Sequence, residues 1–299
     1  MPDVGASILA KLKYKSKTSG VPYQQYLQLF FQEEFLRRLS KSKYSGNLIL
    51  KGGLFIFALT NFKSRATVDV DFLLDRINGN ADYILNVINE IIETQTGYNK
   101  VIVLKASKTV QIAIHQKYPG VGIQVIGQLK NVRVPFGIDI GIGDIIVPKS
   151  QKMVIQTQLD GYDSPEVLTY SLESTISEKF DAILQRLELT SRMKDFFDIH
   201  YLAHTFDFSG YNLQLAIEHT LRNRNTYFGS DSLEKVVSLK DNLNIKTRWK
   251  HFTKTINSPD LNFSEIIGTI ETFLSPVWEA VVSGKVFSKE WNCKSNSWQ

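Results

Sequence analysis

The chain has 299 residues and a mass of 34.1 kDa, with 43% hydrophobic and 22% charged residues. That balance excludes a disordered, collagen-like or fibrous polypeptide and leaves room for one large domain or two ordinary ones. The net charge of +5 is uneven, because residues 1–68 hold eleven Lys and Arg against the three acids Asp3, Glu33 and Glu34. Such a patch attracts a polyanion, so nucleic acid or nucleotide is an expected partner, with a merely solubilising surface as the alternative. No apolar run approaches the roughly 20 residues of a bilayer span, and Met1 to Ala10 lacks the plan of a signal peptide. The expected location is the cytoplasm, with no membrane partner. Cys293 stands alone, which excludes an internal disulfide and a thiolate metal site.

Residues 11–22 alternate Lys with small polar residues before Gly20 and Pro22, which predicts a mobile basic segment leading into a helix. From Tyr23 the period is helical, with Leu27, Phe30, Phe31, Phe35 and Leu39 forming an apolar stripe. Leu48-Ile49-Leu50, Gly52-Gly53 and the segment Leu54 to Leu59 read as strand, glycine turn and helix. Thr67 to Leu74 alternates as a strand, with Asp69 and Asp71 on one face. Asn80 to Glu93 reads as a helix. Residues 101–105, 109–115, 121–126 and 132–147 read as strands of a mixed sheet. From about Pro165 to Ser275 the pattern is mainly helical, with Leu172, Ile176, Phe180, Ile183, Leu184 and Leu187 as its clearest stripe. A boundary between Pro148 and Pro165 gives two domains, 1–155 and 156–299. The polar tail Ser288 to Gln299, with Trp291 and Trp298, reads as a loose end or a docking strap.

Two carboxylates at i and i+2 of a strand point the same way and are suited to hard divalent cations. Backbone N–H groups at a glycine turn that opens a helix are suited to a triphosphate. Either piece alone is commonplace, an exposed Asp-x-Asp being most often plain surface. Their order, Lys51-Gly52-Gly53 and then Lys63, Arg65-x-Thr67-x-Asp69-Val70-Asp71, resembles the core of the polymerase-β-type nucleotidyltransferase superfamily. Within it the pattern is similar to the AbiEii/AbiGii toxin family. A distant block, Glu178-Lys179-Phe180-Asp181-Ala182, Arg186 and Ser191-Arg192-Met193-Lys194-Asp195-Phe196-Phe197-Asp198-Ile199, resembles that family's distal motifs.

The resemblance implies an α/β (α+β) fold, a nucleotidyltransferase-type mixed sheet with flanking helices and a mainly helical C-terminal half. It implies nucleotidyl transfer from an NTP with Mg²⁺, or Mn²⁺, as cofactor. Asp69 and Asp71 would then hold metal, and Asp139, in Ile138-Asp139-Ile140, is the candidate third carboxylate and base. Lys51, Gly52, Gly53, Arg65, Thr67 and Arg186 would contact nucleotide, Lys179 would neutralise developing charge, and Asp198 would orient Lys179 or nucleotide. The implied biology is a toxin paired with a DNA-binding antitoxin, acting on tRNA in phage defence. Leu54 departs from the Ser or Thr that commonly follows the glycine.

Three other readings compete: a glycosyltransferase using Asp-x-Asp, a non-catalytic nucleotide-binding toxin acting through a protein partner, and a plain RNA-binding module. His200 and His204 lack the glutamate of a zinc-protease motif. Gly137-x-x-x-Gly141-x-Gly143 opens no evident helix and is no dinucleotide fingerprint.

Overall fold

The computed structural model describes residues 3–112 and 120–299. The chain forms two compact units, Met1–Asp144 with Ser150–Tyr170, and Ile145–Lys149 with Ser171–Gln299.

In chain order the first unit runs α1 (Val4–Ser19), α2 (Tyr23–Lys41), β1 (Leu48–Lys51), α3 (Gly52–Leu59), β2 (Val70–Leu74) and α4 (Ala81–Glu93). It continues through β3 (Ile102–Ile112), β4 (Gly120–Leu129), β5 (Val132–Ile142), β6 (Gln151–Val154) and β7 (Glu166–Thr169). Its seven strands make one mixed sheet in the order β3-β4-β5-β2-β1-β7-β6. The pairs β2–β5 and β1–β7 are parallel, and the others are antiparallel. Alternation along β5 decides what each face carries. Val134, Phe136, Ile138 and Ile140 are buried, while Gly137, Asp139 and Gly141 take the opposite, more open face. Helix α2 is buried continuously from Leu27 to Leu39, as a helix in the middle of a core must be.

Several sequence expectations change. Residues 11–22 are not a mobile segment, because α1 extends to Ser19. Asp3 caps its first turn, Gly20 closes it with φ 76°, and Ile8 and Leu12 are buried one turn apart. That two-residue stripe anchors the helix while Lys11, Lys13, Lys15 and Lys17 stay exposed. Strand β2 begins at Val70, with Thr67 outside it and Val68 and Asp69 in a bend. The predicted strands 101–105 and 109–112 are one strand with an irregularity at Ala106/Lys108, and 113–115 lie outside the described residues. The strand predicted to Val147 ends at Ile142. Strands β6 and β7, each of four residues, are too short to give a periodic signal. They pair with each other, and the boundary expected at 155 falls between them.

Buried charge on α2 gives this unit a pH dependence. Arg37 and Arg38 pair with the fully buried Glu34 at 3.0 and 2.9 Å, whereas Glu33 lies 3.9 Å from Arg37 and accepts from the Gln158 backbone N–H at 3.0 Å. Burial dominates over the Arg37 charge and pushes the Glu33 carboxyl up to about 8. A protonated Glu33 therefore favours the folded state. Its contribution is complete below the unfolded value near 4.5 and is lost as pH rises toward 8, at up to about 1.4 kcal/mol per pH unit. Glu33→Gln is expected to flatten urea-derived stability across that window, and an unchanged slope would refute the assignment.

The second unit runs α5 (Leu172–Arg186), α6 (Met193–Thr205), β8 (Phe208–Ser209), α7 (Gly210–Arg224), α8 (Ser232–Ser238), α9 (Leu243–Thr255), α10 (Phe263–Ser283), β9 (Glu290–Asn292) and β10 (Ser297–Trp298). It is mainly helical. By length and composition alone α10 is apolar enough to cross a membrane, an exception to the sequence expectation. Ile266, Ile267, Ile270, Phe273, Leu274, Val277 and Trp278 are nevertheless buried in this unit, and Pro276 lies within the helix. The tail is docked, with β8, β9 and β10 forming a three-stranded sheet. Trp291 is 1% exposed and donates to the Ala203 carbonyl at 2.7 Å. Trp298 stacks on Phe273 and donates to its carbonyl at 3.0 Å.

Candidate active site

In the first unit, three neighbouring strands bring Lys51, Asp71 and Asp139 into one row. Lys51 of β1 is the register partner of Asp71 of β2, and Asp71 is the register partner of Asp139 of β5. Residues in register on adjacent strands project to the same face, so two carboxylates stand side by side in mid-sheet. Asp69 arrives from the bend before β2. Its Oδ1 lies 2.6 Å from the position a Cβ would take on Gly137, two residues before Asp139. Two residues after Asp139, the Lys51 Nζ lies 3.5 Å from the Cβ position of Gly141, an ordinary contact distance. Two of the glycines set aside as no dinucleotide fingerprint thus flank Asp139, and Gly137 leaves the space that the Asp69 carboxylate takes.

The Lys51 ammonium pairs with Asp144 at 2.9 Å and lies 5.3 Å from the centre of the Tyr170 ring. Asp144, set aside in the sequence as a turn residue, is therefore the anion that positions Lys51. Nothing in the local sequence signals a pair 93 residues apart. Gly52 opens α3 with φ 67°, a conformation that favours glycine. It leaves the space in which the Asp71 carboxylate sits, since a Cβ there would lie 2.1 Å from Asp71 Oδ2. The N-cap residue of α3, Lys51, makes no side-chain cap hydrogen bond. Thr67 Oγ1 packs against Gly53, 2.8 Å from its Cβ position. Leu54 is 1% exposed, so this position serves the core, and the hydroxyl next to Gly53 comes from Thr67. Arg65 is half-buried in the segment between α3 and β2.

Among the described residues, no three His, Cys, Asp or Glu side chains form a closed metal-binding cluster as they stand. The chemistry of the donors nevertheless fits a hard divalent cation, with two in-register carboxylates, a third, Asp69, beside Gly137 of β5, and no competing nitrogen or sulfur ligand in the row. The Gly52 recess, which any Cβ would fill, gives Asp71 space beside the start of α3.

The second unit holds the distal motifs. Lys179 on α5 is 8% exposed and contacts two buried acids of α6, Asp198 at 2.6 Å and Asp195 at 3.4 Å. Asp195 also takes Arg192 Nε at 2.5 Å. Burial pushes the Asp195 carboxyl up, but Lys179 and Arg192 outweigh it and hold the group below its ordinary value. Arg186 donates to the Ala182 carbonyl of its own helix at 3.3 Å. Asp181, fully buried, accepts from Gln185 at 2.9 Å, Arg224 at 3.1 Å and Thr226. Arg224 also pairs with Glu178 at 3.2 Å. The acids flanking Lys179 in sequence thus anchor α7, a role set by Arg224 and Thr226, which the motif reading did not include. His200 bonds Thr269 at 2.9 Å, and burial, with His204 nearby, pushes its pKa down to about 4.

Strand, glycine turn, helix and a returning strand with Asp69 just before it and Asp71 within it, on a mixed sheet, are the arrangement of a nucleotidyltransferase. The model of the nucleotidyl transferase AbiEii toxin family, of type IV toxin–antitoxin systems, matches residues 34–280, and the chain belongs to that family. Among solved structures, the chain is similar to the nucleotidyltransferase toxin MenT4 of Mycobacterium tuberculosis, with a TM-score of 0.54 and 13% identity over 93% of this chain and 99% of that one. A Helicobacter pylori chain classed among the nucleotidyltransferases aligns with a TM-score of 0.49 and 12% identity over 89% of this chain and 100% of its own. No curated protein sequence matches the chain.

Proposed function

We propose that this nucleotidyltransferase moves a nucleotidyl group from an NTP to tRNA in a Mg²⁺-dependent reaction. It would thereby arrest growth as the toxin of a pair with a DNA-binding antitoxin, in phage defence. The observation that carries the reading is the Lys51–Asp71–Asp139 row with Asp69 beside it. Asp71, Asp139 and Asp69 would hold Mg²⁺, which when bound supplies neutralisation of triphosphate charge and polarisation of the reacting oxygens. The N–H groups at the start of α3, at Gly52 and Gly53, would donate to phosphate oxygens, and the Thr67 hydroxyl, which makes a 3.4 Å bond to the Asp69 carbonyl, would turn to supply a further donor. Lys51 and Arg65 add positive charge in the first unit.

In the reaction, the acceptor hydroxyl oxygen bonds to the α-phosphorus while the bond from that phosphorus to pyrophosphate breaks. Asp139 takes the hydroxyl proton. Lys179, the second unit's motif cation, is assigned to neutralisation of the leaving charge, with Asp198 positioning it. Arg186, engaged with Ala182, has the weakest claim to a nucleotide contact. The exposed lysines of α1 and exposed Lys63 favour an RNA acceptor through phosphate neutralisation.

The test incubates the protein with Mg²⁺, total bacterial tRNA and each α-³²P-labelled NTP in turn, beside Asp71→Asn. Label is expected in RNA with the unmodified protein, reduced at least about 100-fold by the substitution. Labelled protein in place of RNA would overturn the acceptor. Growth arrest that survives Asp71→Asn would overturn the catalytic reading in favour of a toxin acting by contact.

A further inference from the structure

We propose that the first unit carries a second small-molecule site, a pocket between α1, α2, the end of α3 and the 157–158 segment that takes a single uncharged nucleobase. Its volume is 240 Å³, below the range of about 300–1,000 Å³ typical of drug-sized ligands, which suits one heterocycle and not a whole nucleotide. Tyr26, Phe57 and Phe62 supply aromatic wall, and Gln25, Gln28, Gln32 and Gln158 supply amides.

Three observations point to a ligand of that chemistry. Gln158 is 5% exposed and its Oε1 has no hydrogen-bond partner, although its Nε2 donates to the Tyr26 carbonyl at 3.2 Å and its backbone N–H donates to Glu33 at 3.0 Å. A buried amide oxygen without a donor is costly, and rotation of the Gln158 side chain toward the pocket that this residue lines would let an N–H on the edge of a base satisfy it. Phe62 follows Asn61 in left-handed backbone, at φ 63° and 50°, unusual for a bulky side chain. The Phe62 ring lies edge-on to Phe57 at 5.1 Å between centroids, giving a surface suited to a flat ring. The lining has one cation, Lys15, whose ammonium already donates to the Gln158 carbonyl. That favours a neutral ring over a phosphate.

The pocket also borders the acidic face. Thr67 and Val68 line it, immediately before Asp69, and Gln32 donates to the Val68 carbonyl at 2.8 Å. A base bound there braces the bend that carries Asp69.

The test titrates adenosine, guanosine, cytidine and uridine separately into the full chain by calorimetry, without Mg²⁺ or triphosphate. At least one is expected to bind. Gln158→Met, which keeps the shape without the acceptor, and Val21→Trp, which fills the mouth from an exposed position, are each expected to weaken binding roughly tenfold or more. Val21→Trp carries the test if Gln158→Met fails to fold. Asp71→Asn is expected to bind as the unmodified protein does, so failure of the transfer reading leaves this one standing. No binding at millimolar nucleoside, binding that survives Val21→Trp, or binding lost in Asp71→Asn would overturn the pocket. An RNA trinucleotide ending in the preferred base separates the two sources of that base. Tighter binding that Val21→Trp removes assigns the site to an RNA end, and equal or weaker binding assigns it to free nucleoside; both outcomes support the pocket.

Discussion

Replacing Lys179 with Met is expected to destabilise the protein by about 3–5 kcal/mol, the usual cost of breaking a buried ion pair from one side. In a unit of this size, that corresponds to a fall in Tm of roughly 10–20 °C. The size follows from burial. Asp195 is 0% exposed and Asp198 1%, so solvent screens neither, and the substitution removes the ammonium 2.6 Å from Asp198. The pH dependence distinguishes this cause from simple loss of packing. In the unmodified protein the Asp195 carboxyl is held below its ordinary value. Its stabilisation is therefore present above the unfolded value near 3.8 and is lost as pH falls through the lower folded value. Without Lys179, the burial that already opposes ionisation gains ground. The variant's deficit is then largest near neutral pH and shrinks toward pH 4, where neutral carboxyls tolerate burial. Urea denaturation at pH 7 and pH 4.5 reads this directly, and the double variant K179M/D198N is expected to regain part of the loss. An equal deficit at both pH values would refute the ion-pair account. Since Lys179 is also assigned to the reaction, activity of the single variant is informative only well below its Tm.

What the sequence disclosed of the site was what chain neighbours determine. Lys51-Gly52-Gly53 and Asp69-x-Asp71 are short-range patterns, and strand, turn and helix follow from apolar spacing within a few residues. Asp139 was legible for another reason, because a charged residue in the middle of a Val/Ile-rich strand needs a partner or a function. Its pairing with Asp71 depends on β5 joining β2 in parallel, which local spacing does not encode. The same limit explains the Lys51–Asp144 pair and Arg224 on Asp181, both joined by the tertiary fold. The four-residue strands β6 and β7 were lost for lack of length. Helix α1 was misread because Lys-rich composition suggested a loose segment, whereas Ile8, Leu12 and the Asp3 cap suffice to order it.

The second large effect is expected at a residue with no side chain. Gly52→Ala places a Cβ 2.1 Å from Asp71 Oδ2, 2.6 Å from its Cγ and 2.8 Å from its Cβ, so rotation of the carboxylate alone does not relieve the clash and Asp71 must move. The left-handed backbone at φ 67° adds a strain of about 1–2 kcal/mol. A displacement near 1 Å at a reacting centre costs about 100-fold, and transfer of label to RNA is expected to fall by at least that factor while the protein stays folded. Gly137→Ala is gentler. Its Cβ would meet only the flexible end of Asp69 closely, at 2.6 Å, with the next atom at 3.4 Å, and its backbone needs no left-handed φ. Activity there is expected to drop roughly tenfold, through displacement of Asp69, with Tm unchanged. Gly46→Ala, where nothing lies within 4 Å of the new atom, serves as the silent control. The order Gly52, Gly137, Gly46 follows from how closely Gly52 and Gly137 seat Asp71 and Asp69, and from the open space at Gly46. Full activity in Gly52→Ala, with circular dichroism and Tm like those of the Gly46 variant, would mean that the position of Asp71 does not matter to the reaction, and the acidic row would lose its place at the centre of the mechanism.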